Sequence, residues 1–307
     1  MIPLALVTGF LGSGKTTLLR RLVDRYRDRR VAYLVNEFSH VDVDGRRLAE
    51  TAENVQILPG GSIFCSCLVH EFIGTLDAFP KRMAGPLDGV VIEASGVASP
   101  AVISKLLHDT RLDQVYALNA VVSIVDPGSF PVLLQSLPNI ATQVAASTLI
   151  LVNKRDLYDA ATVAAAEAQA RAINNNAPIV RTCHCEIDAD ILAPALACPA
   201  CAGSLAPCRD PNYAQFDLAL ARPVDLPRFE QAVRDAGPEL YRMKGHVPTT
   251  SGLAYVDYTA GQFSTEASAA KQAAPELVFI ANGHDHKKVD ALIEALKQGQ
   301  FNIGKTK

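Results

Sequence analysis

The chain has 307 residues, room for one large or two medium domains, and a formal net charge of −3. Hydrophobic residues at 49% and charged residues at 20% are ordinary for a soluble globular protein, and the near-neutral balance gives no electrostatic case for nucleic acid. No apolar run reaches the roughly 18 residues needed to span a bilayer, so neither nucleic acid nor a membrane is expected as a partner.

The opening MIPLALVTGF has no basic region and no small-residue cleavage site, so no signal peptide is expected and the default compartment is the cytoplasm. Within it, LALVTG reads as a strand. KTTLLRRLVDRYRDR follows with Leu18, Leu19, Leu22, Val23 and Tyr26 at helical spacing. Between them lies Gly9-x-x-x-x-Gly14-Lys15-Thr16, the full phosphate-loop pattern, with a strand before it and a helix after. Gly9, Gly12, Ser13 and Gly14 let backbone N–H groups turn inward around a β-phosphate. Lys15 reaches the β- and γ-phosphates, Thr16 offers a hydroxyl to Mg²⁺, and Thr17 continues the cradle at the helix N-terminus. The alternative is a chance glycine-rich corner. The basic stretch RRLVDRYRDRR interleaves Asp24 and Asp28, so a solvated helix face is expected rather than a nucleic-acid patch.

VAYLVNE and NVQILPGG are the next strands, and DGVVIEASG is a fully apolar one that ends in a loop. Glu93 follows the apolar run, so its carboxylate should emerge at the strand's C-terminal end, where open α/β sheets bind ligands. Gly96 gives that loop backbone freedom. The alternative for Glu93 is a solvated strand-end acid. NAVVSIVDP, STLILVNKRD and APIVRTC complete a set of continuous apolar strands, which predicts a parallel sheet with helices on both faces. At the end of STLILVNKRD stands Asn153-Lys154-Arg155-Asp156. A carboxylate at Asp156 accepts two hydrogen bonds from the N1–H and N2 amine of guanine, which adenine does not present, and the stem of Lys154 lies along the base. Read alone, the four residues could form a surface turn.

Seven cysteines stand at 65, 67, 183, 185, 198, 201 and 208. An odd count with close spacings favours thiols or metal ligands over disulfides. Cys183 and Cys185 follow the strand after Asn153–Asp156, and Cys198, Cys201 and Cys208 follow in ACPACAGSLAPCRDPN. A C-x-C with a later C-x-x-C resembles a structural zinc site; the alternative is a loop with free thiols. That stretch, 197–212, reads as a linker between a nucleotide domain at 1–196 and a smaller α+β domain at 213–307. In the latter, QFDLALARP, GLAYVDYT and ELVFIANG read as strands and DLPRFEQAVRDAG and KKVDALIEALKQ as helices, with Asp285 expected to cap the last.

Five stretches together resemble the CobW-like GTPases, the metallochaperone branch of P-loop GTPases related to the urease and hydrogenase maturation GTPases: VTGFLGSGKTTLL, VNEFSHVDVD, VIEASGVASP, VNKRDL and LYRMKGHV. The resemblance implies GTP hydrolysis, Mg²⁺ and a transition-metal site coupled to switch segments. It places Glu37 and Asp44 in a first switch, and Glu93 and Gly96 in a second, near Mg²⁺ and the γ-phosphate. Lys15, Thr16 and Glu93 are then the expected catalytic set. The family's Cys-x-Cys-Cys motif is altered here. With Gly61 on the family's glycine, Ser62, Ile63, Phe64 and Cys65 occupy the motif, so one thiol stays in place and Cys67 is added two residues later. His40 stands where the family commonly has Glu. If extended, Cys65-Ser66-Cys67 presents both sulfurs on one side. With His40 and Glu37 they make a candidate site for Zn²⁺ first, or Co²⁺ or Fe²⁺. The alternative is that both cysteines are small buried hydrophobes.

The expected function is a GTP-hydrolysing metallochaperone with slow intrinsic turnover, delivering its metal to a client metalloenzyme or metal-dependent protein, possible also as a homodimer like related GTPases. The rivals are a GTP-gated regulatory module without metal delivery and a P-loop kinase, against which Asn153–Asp156 argue.

Overall fold

The computed structural model describes residues 1–37, 54–59, 62–65, 68–83, 85–96, 98–194, 212–259, 261–268 and 274–302. The chain divides into two compact units, Met1–Cys208 and Arg209–Lys307. The expected linker at 197–212 lies outside the described residues apart from Asn212.

The first unit is built on strands β1 (Ile2–Gly9), β2 (Val31–Glu37), β3 (Val55–Pro59), β4 (Gly89–Glu93), β5 (Tyr116–Val125), β6 (Leu149–Val152) and β7 (Ile179–Arg181). They form one sheet in the order β3-β2-β4-β1-β5-β6-β7, with every pairing parallel. Between them run helices α1 (Lys15–Arg25), α2 (Val69–Arg82), α3 (Ile103–Asp109), α4 (Phe130–Ser136), α5 (Pro138–Ala145) and α6 (Ala160–Ile173). The central strands are mostly apolar because both faces are covered. On one face Leu4 and Leu6 pack with Phe72 and Leu76 of α2 and Ile103 of α3. On the other, Ala5 and Val7 pack with Leu18, Leu19 and Leu22 of α1. Alternate strand residues point to opposite faces, so one stretch of sequence feeds both cores. Burial of each such leucine stabilises the sheet by about 1.5–3 kcal/mol. β1 sits between β4 and β5, and the chain leaves it in one direction and later returns to the other. That reversal opens a crevice at the strands' C-terminal ends.

α1 is shorter than its periodicity predicts. It stops at Arg25, and the Tyr26 amide closes the last turn on the Leu22 carbonyl.

The second unit contains β8 (Tyr213–Ala219), α7 (Leu226–Ala236), β9 (Leu240–Thr249), β10 (Gly252–Thr259), β11 (Gln262–Ala267), β12 (Glu276–Asn282) and α8 (Lys287–Lys297). Its sheet is antiparallel in the order β11-β10-β9-β12-β8. Phe229 and Val233 of α7 and Val289 and Leu292 of α8 share a core with Met243, Val256 and Phe279. The Asp225 side chain caps α7 by accepting from the Arg228 amide. Asp285 does not cap α8 as expected. The position belongs to His286, which makes no side-chain cap, and Glu239 Oε2 accepts from the Lys288 amide at 2.7 Å instead. Asp285 is held in a turn in which Asn282 Oδ1 accepts its amide.

Candidate nucleotide site

The phosphate loop joins β1 to α1 at the crevice. Ser13 N donates to Phe10 O to close the loop, and α1 begins without a side-chain cap or an acidic residue in its first turn. Its first N–H groups therefore face the loop as an anion site. Lys15 is buried, and its ammonium donates to Phe10 O at 3.1 Å, inside the loop it would leave for a phosphate. The Thr16 hydroxyl donates to Glu93 Oε1 at 3.2 Å. Glu93 ends β4 beside Val7 of β1, and only 5% of it is exposed. A hydroxyl and a carboxylate oxygen side by side form a hard-oxygen pair of the kind Mg²⁺ takes.

Gly14 has φ +119°, in the left-handed region, and a Cβ there would stand 2.5 Å from Asn153 Nδ2 and 2.8 Å from Cys185 Sγ. Only glycine fits both constraints. The close approach is made by a clamp. Asn153 follows β6; its Nδ2 donates to Ser13 O at 2.9 Å, and its Oδ1 accepts from the Cys185 amide at 2.9 Å. One buried carboxamide thus ties the phosphate loop to the loop after β7. Lys154 is left-handed (φ 62°), and its ammonium pairs with Asp126 Oδ2 at 2.7 Å at the end of β5. Asp126 Oδ1 accepts the Gly128 amide. Asp156 lies on the surface in a short 3-10 turn.

The loop after β7 carries two consecutive left-handed residues, His184 (φ 49°) and Cys185 (φ 56°). The basic face of α1 is exposed as expected, and it also grips this loop. Arg21 Nε donates to His184 O at 2.7 Å, and Arg25 donates to Ile187 O and Asp188 O. The Tyr26 hydroxyl and Arg29 both bond to Asp190. Burial would raise the Asp190 pKa, but hydrogen bonds from Tyr26, the Leu192 amide and Arg29 outweigh it and hold the carboxyl below its ordinary value.

Two stretches of the chain match the models of known protein families. Residues 3–181 match the model of the CobW/HypB/UreG nucleotide-binding domain, and residues 213–297 match that of the cobalamin synthesis protein cobW C-terminal domain. The chain belongs to the CobW/HypB/UreG family. It is 32% identical over 194 residues to the zinc chaperone YjiA of Escherichia coli, a match covering 62% of this chain and 60% of that one. It is 30% identical over 199 residues to the zinc chaperone CobW of Pseudomonas aeruginosa, covering 55% and 52%. The matched stretch thus spans little more than half the length of these relatives. A solved structure of Zn(II)-bound YjiA from Escherichia coli aligns over 96% of this chain and 98% of that one, with 21% identity and a TM-score of 0.47.

In this CobW/HypB/UreG chain the described residues include only some of the sequence-predicted metal residues. Cys65 is buried at 3% exposure, and its carbonyl accepts the Leu68 and Val69 amides at the start of α2. Glu37 ends β2, where its backbone pairs with Pro59. His40, Asp44, Cys67, Cys198, Cys201 and Cys208 lie outside the described residues. Among the described residues no group of three or more His, Cys, Asp or Glu side chains could hold a metal ion. Cys185 packs against the phosphate loop. It is fully buried, and its thiol donates to Gly14 O at 3.3 Å. Burial pushes its pKa from 9.0 up to about 12. Cys183 is half-buried and accepts from Arg155 Nε at 3.3 Å, a contact separate from the Cys185 thiol.

The loop after Glu93 is held from two sides by residues that the motifs do not single out. Gln143 of α5 donates from Nε2 to Gly96 O and Ala98 O. Asn36 Oδ1 accepts the Ser95 amide. A Cβ on Gly96 would lie 2.6 Å from the Leu11 amide, so this loop packs directly on the phosphate loop. The signal for Asn36, Asp126 and Gln143 was a polar residue at the end of, or inside, an otherwise apolar run.

Proposed function

We propose that the chain is a GTP-hydrolysing metal-handling switch, a metallochaperone that binds a transition metal and passes it to a metal-dependent client. The observation that carries the nucleotide half is the Asn153 clamp. A 2.9 Å bond from its side chain to Ser13 O holds the phosphate loop after β1 against the turn after β6, across the end of the intervening β5, which supports one nucleotide reaching both. Phosphates would take the α1 N-terminus, with Gly12, Gly14 and Thr17 in the cradle, and draw Lys15 from Phe10 O. Asp156 would accept the two guanine donors, and Lys154 would lie beside the base. Thr16 and Glu93 would hold Mg²⁺, which supplies charge neutralisation at the phosphates. Lys15 adds its fixed charge there. These groups position and neutralise, and no side chain is assigned to orient the attacking water, so slow intrinsic turnover is expected.

The metal half rests on the relatives' names as zinc chaperones and on Cys65 in the turn that precedes α2. Zn²⁺ is the proposed cargo, with Cys67, His40 and Glu37 as further ligands and a second, structural site at Cys183, Cys198 and Cys201. The protein would act in the cytoplasm, alone or as a homodimer. Metal analysis of protein purified with and without a non-hydrolysable GTP analogue tests the reading. One ion per chain that follows nucleotide supports it; affinity unchanged in Cys65→Ala/Cys67→Ala overturns delivery through these thiols. The burial of Cys65 favours one rival, a GTP-gated regulatory module with no metal delivery, which predicts no nucleotide-dependent transition-metal ion.

A further inference from the structure

We propose that the Asn36 side chain is the joint through which the nucleotide side of the protein sets the geometry of the cysteine turn; the proposal rests on the metal-handling switch described above. Asn36 is the penultimate residue of β2 and is 3% exposed. A polar side chain buried in a parallel strand needs partners, and three of them belong to three different segments. Its Nδ2 donates to Leu58 O of β3 at 3.2 Å. Its Oδ1 accepts the Ile63 amide at 3.0 Å and the Ser95 amide at 3.2 Å. One oxygen therefore uses both lone pairs to hold two segments that do not otherwise share a strand pairing.

What lies beyond each amide gives the joint its meaning. Ser95 is two residues from Glu93, whose carboxylate accepts the Thr16 hydroxyl of the phosphate loop. Ser95 also precedes Gly96, which packs on Leu11 of that loop. Ile63 begins the turn that ends at Cys65, and this turn is stiff. Cys65 N donates to Ser62 O, Phe64 N donates to Ser62 Oγ, and Phe64 packs edge-on against Phe72 of α2. A short path thus runs from Thr16 through Glu93 and the Ser95 amide to Asn36, and on through the Ile63 amide to Cys65. Backbone drawn toward a γ-phosphate at Ser95–Gly96 pulls on an oxygen that also holds Ile63. The carboxamide turns about a broad sp³–sp² torsion, so it transmits the pull at low cost. Because the turn is braced by its own bonds, it shifts as a unit.

The test is the zinc dissociation constant of the full chain, measured by competition with a chromophoric chelator in excess Mg²⁺, once with GDP and once with a non-hydrolysable GTP analogue. Wild type should give a ratio of at least about fivefold. Asn36→Leu should bring the ratio to about one, because it removes both acceptor contacts. Asn36→Asp keeps the acceptor oxygen and should retain most of the ratio, which a merely structural role would not distinguish from Asn36→Leu. A folded Asn36→Leu with the wild-type ratio overturns the joint. A wild-type ratio of one overturns the switch reading itself, and the joint with it. Amide exchange on wild type decides the matter without any variant. The Ile63 and Ser95 amides should change protection together when GDP is replaced by the analogue, and a change at Ser95 with none at Ile63 refutes the coupling.

Discussion

Replacing Asn153 by alanine isolates the clamp between the phosphate and base loops. The side chain is 2% exposed and makes two hydrogen bonds, to Ser13 O and from Cys185 N, both 2.9 Å. Each bond contributes about 1 kcal/mol net. Truncation leaves a buried carbonyl and a buried amide without that partner, and each orphan costs about 1–3 kcal/mol where water cannot enter. Partial relaxation of the two loops limits the sum, so we expect a loss of about 2–4 kcal/mol in unfolding free energy. The GDP affinity should fall alongside, since the lost order must be restored on binding. Urea denaturation followed by circular dichroism reads the first quantity and calorimetric titration with GDP the second. A cycle with Cys185→Ala tests the geometry further. The Cys185 thiol and the Asn153 carboxamide brace neighbouring backbone at Gly14 and Ser13, so the two substitutions should couple by at least about 0.5 kcal/mol. If Asn153→Ala costs under about 0.5 kcal/mol in both assays, the clamp does not organise the site and the reasoning fails.

Three other outcomes follow from the same region. Burial raises the Cys185 pKa from 9.0 to about 12, so at pH 8 its thiolate fraction is on the order of 10⁻⁴. Peptide mapping after brief treatment of the native protein with a thiol reagent should find Cys183 labelled and Cys185 not. The sign of the linkage follows: the raised native pKa contributes stability that is complete below pH 9.0 and is lost as pH rises toward about 12, and Cys185→Ala should flatten that alkaline fall. Asp156→Asn exchanges an acceptor for a donor opposite the guanine N1–H and amine. Each charge-assisted bond contributes about 1.5–3 kcal/mol, so GTP affinity should drop at least about a hundredfold while xanthosine triphosphate gains; equal GTP affinity would remove Asp156 from the base site.

Much of the first unit was legible because its strands are buried on both faces and its punctuation is glycine. VTGFLGSGKTT announces strand, loop and helix in order, and VNKRD and VIEASG mark strand ends where apolar runs stop at a polar residue. β9 and β11 were not read as elements. β9 alternates Met243, Gly245 and Val247 with Arg242, Lys244 and His246, so its apolar density is low and one member of the inward set is a glycine. β11, QFSTEA, is an almost wholly exposed edge with one packed residue, Phe263, and such a strand is specified by its neighbour rather than by its own pattern. Cys185 misled because spacing alone does not distinguish a ligand from a packed thiol. The decisive fact is that Gly14 lies against it, a contact between residues 171 positions apart.

The arginines of α1 make the same point from the other direction. Taken as charges along a helix they read as solvated, and exposed ion pairs such as Arg29–Asp190 contribute little. Their main targets are backbone carbonyls, however, and the place they hold is the strained one. His184 and Cys185 each adopt a left-handed backbone that costs a non-glycine residue about 1–2 kcal/mol. The Arg21 bond to His184 O, the Cys185 amide bond to Asn153 and the Cys185 thiol bond to Gly14 O together offset that cost. Each partner of the strained pair belongs to α1, to the phosphate loop at its start, or to the turn after β6. The base-side loop therefore holds its shape only while the phosphate side holds its own, and the energy that enforces this lies in bonds no local stretch of sequence contains.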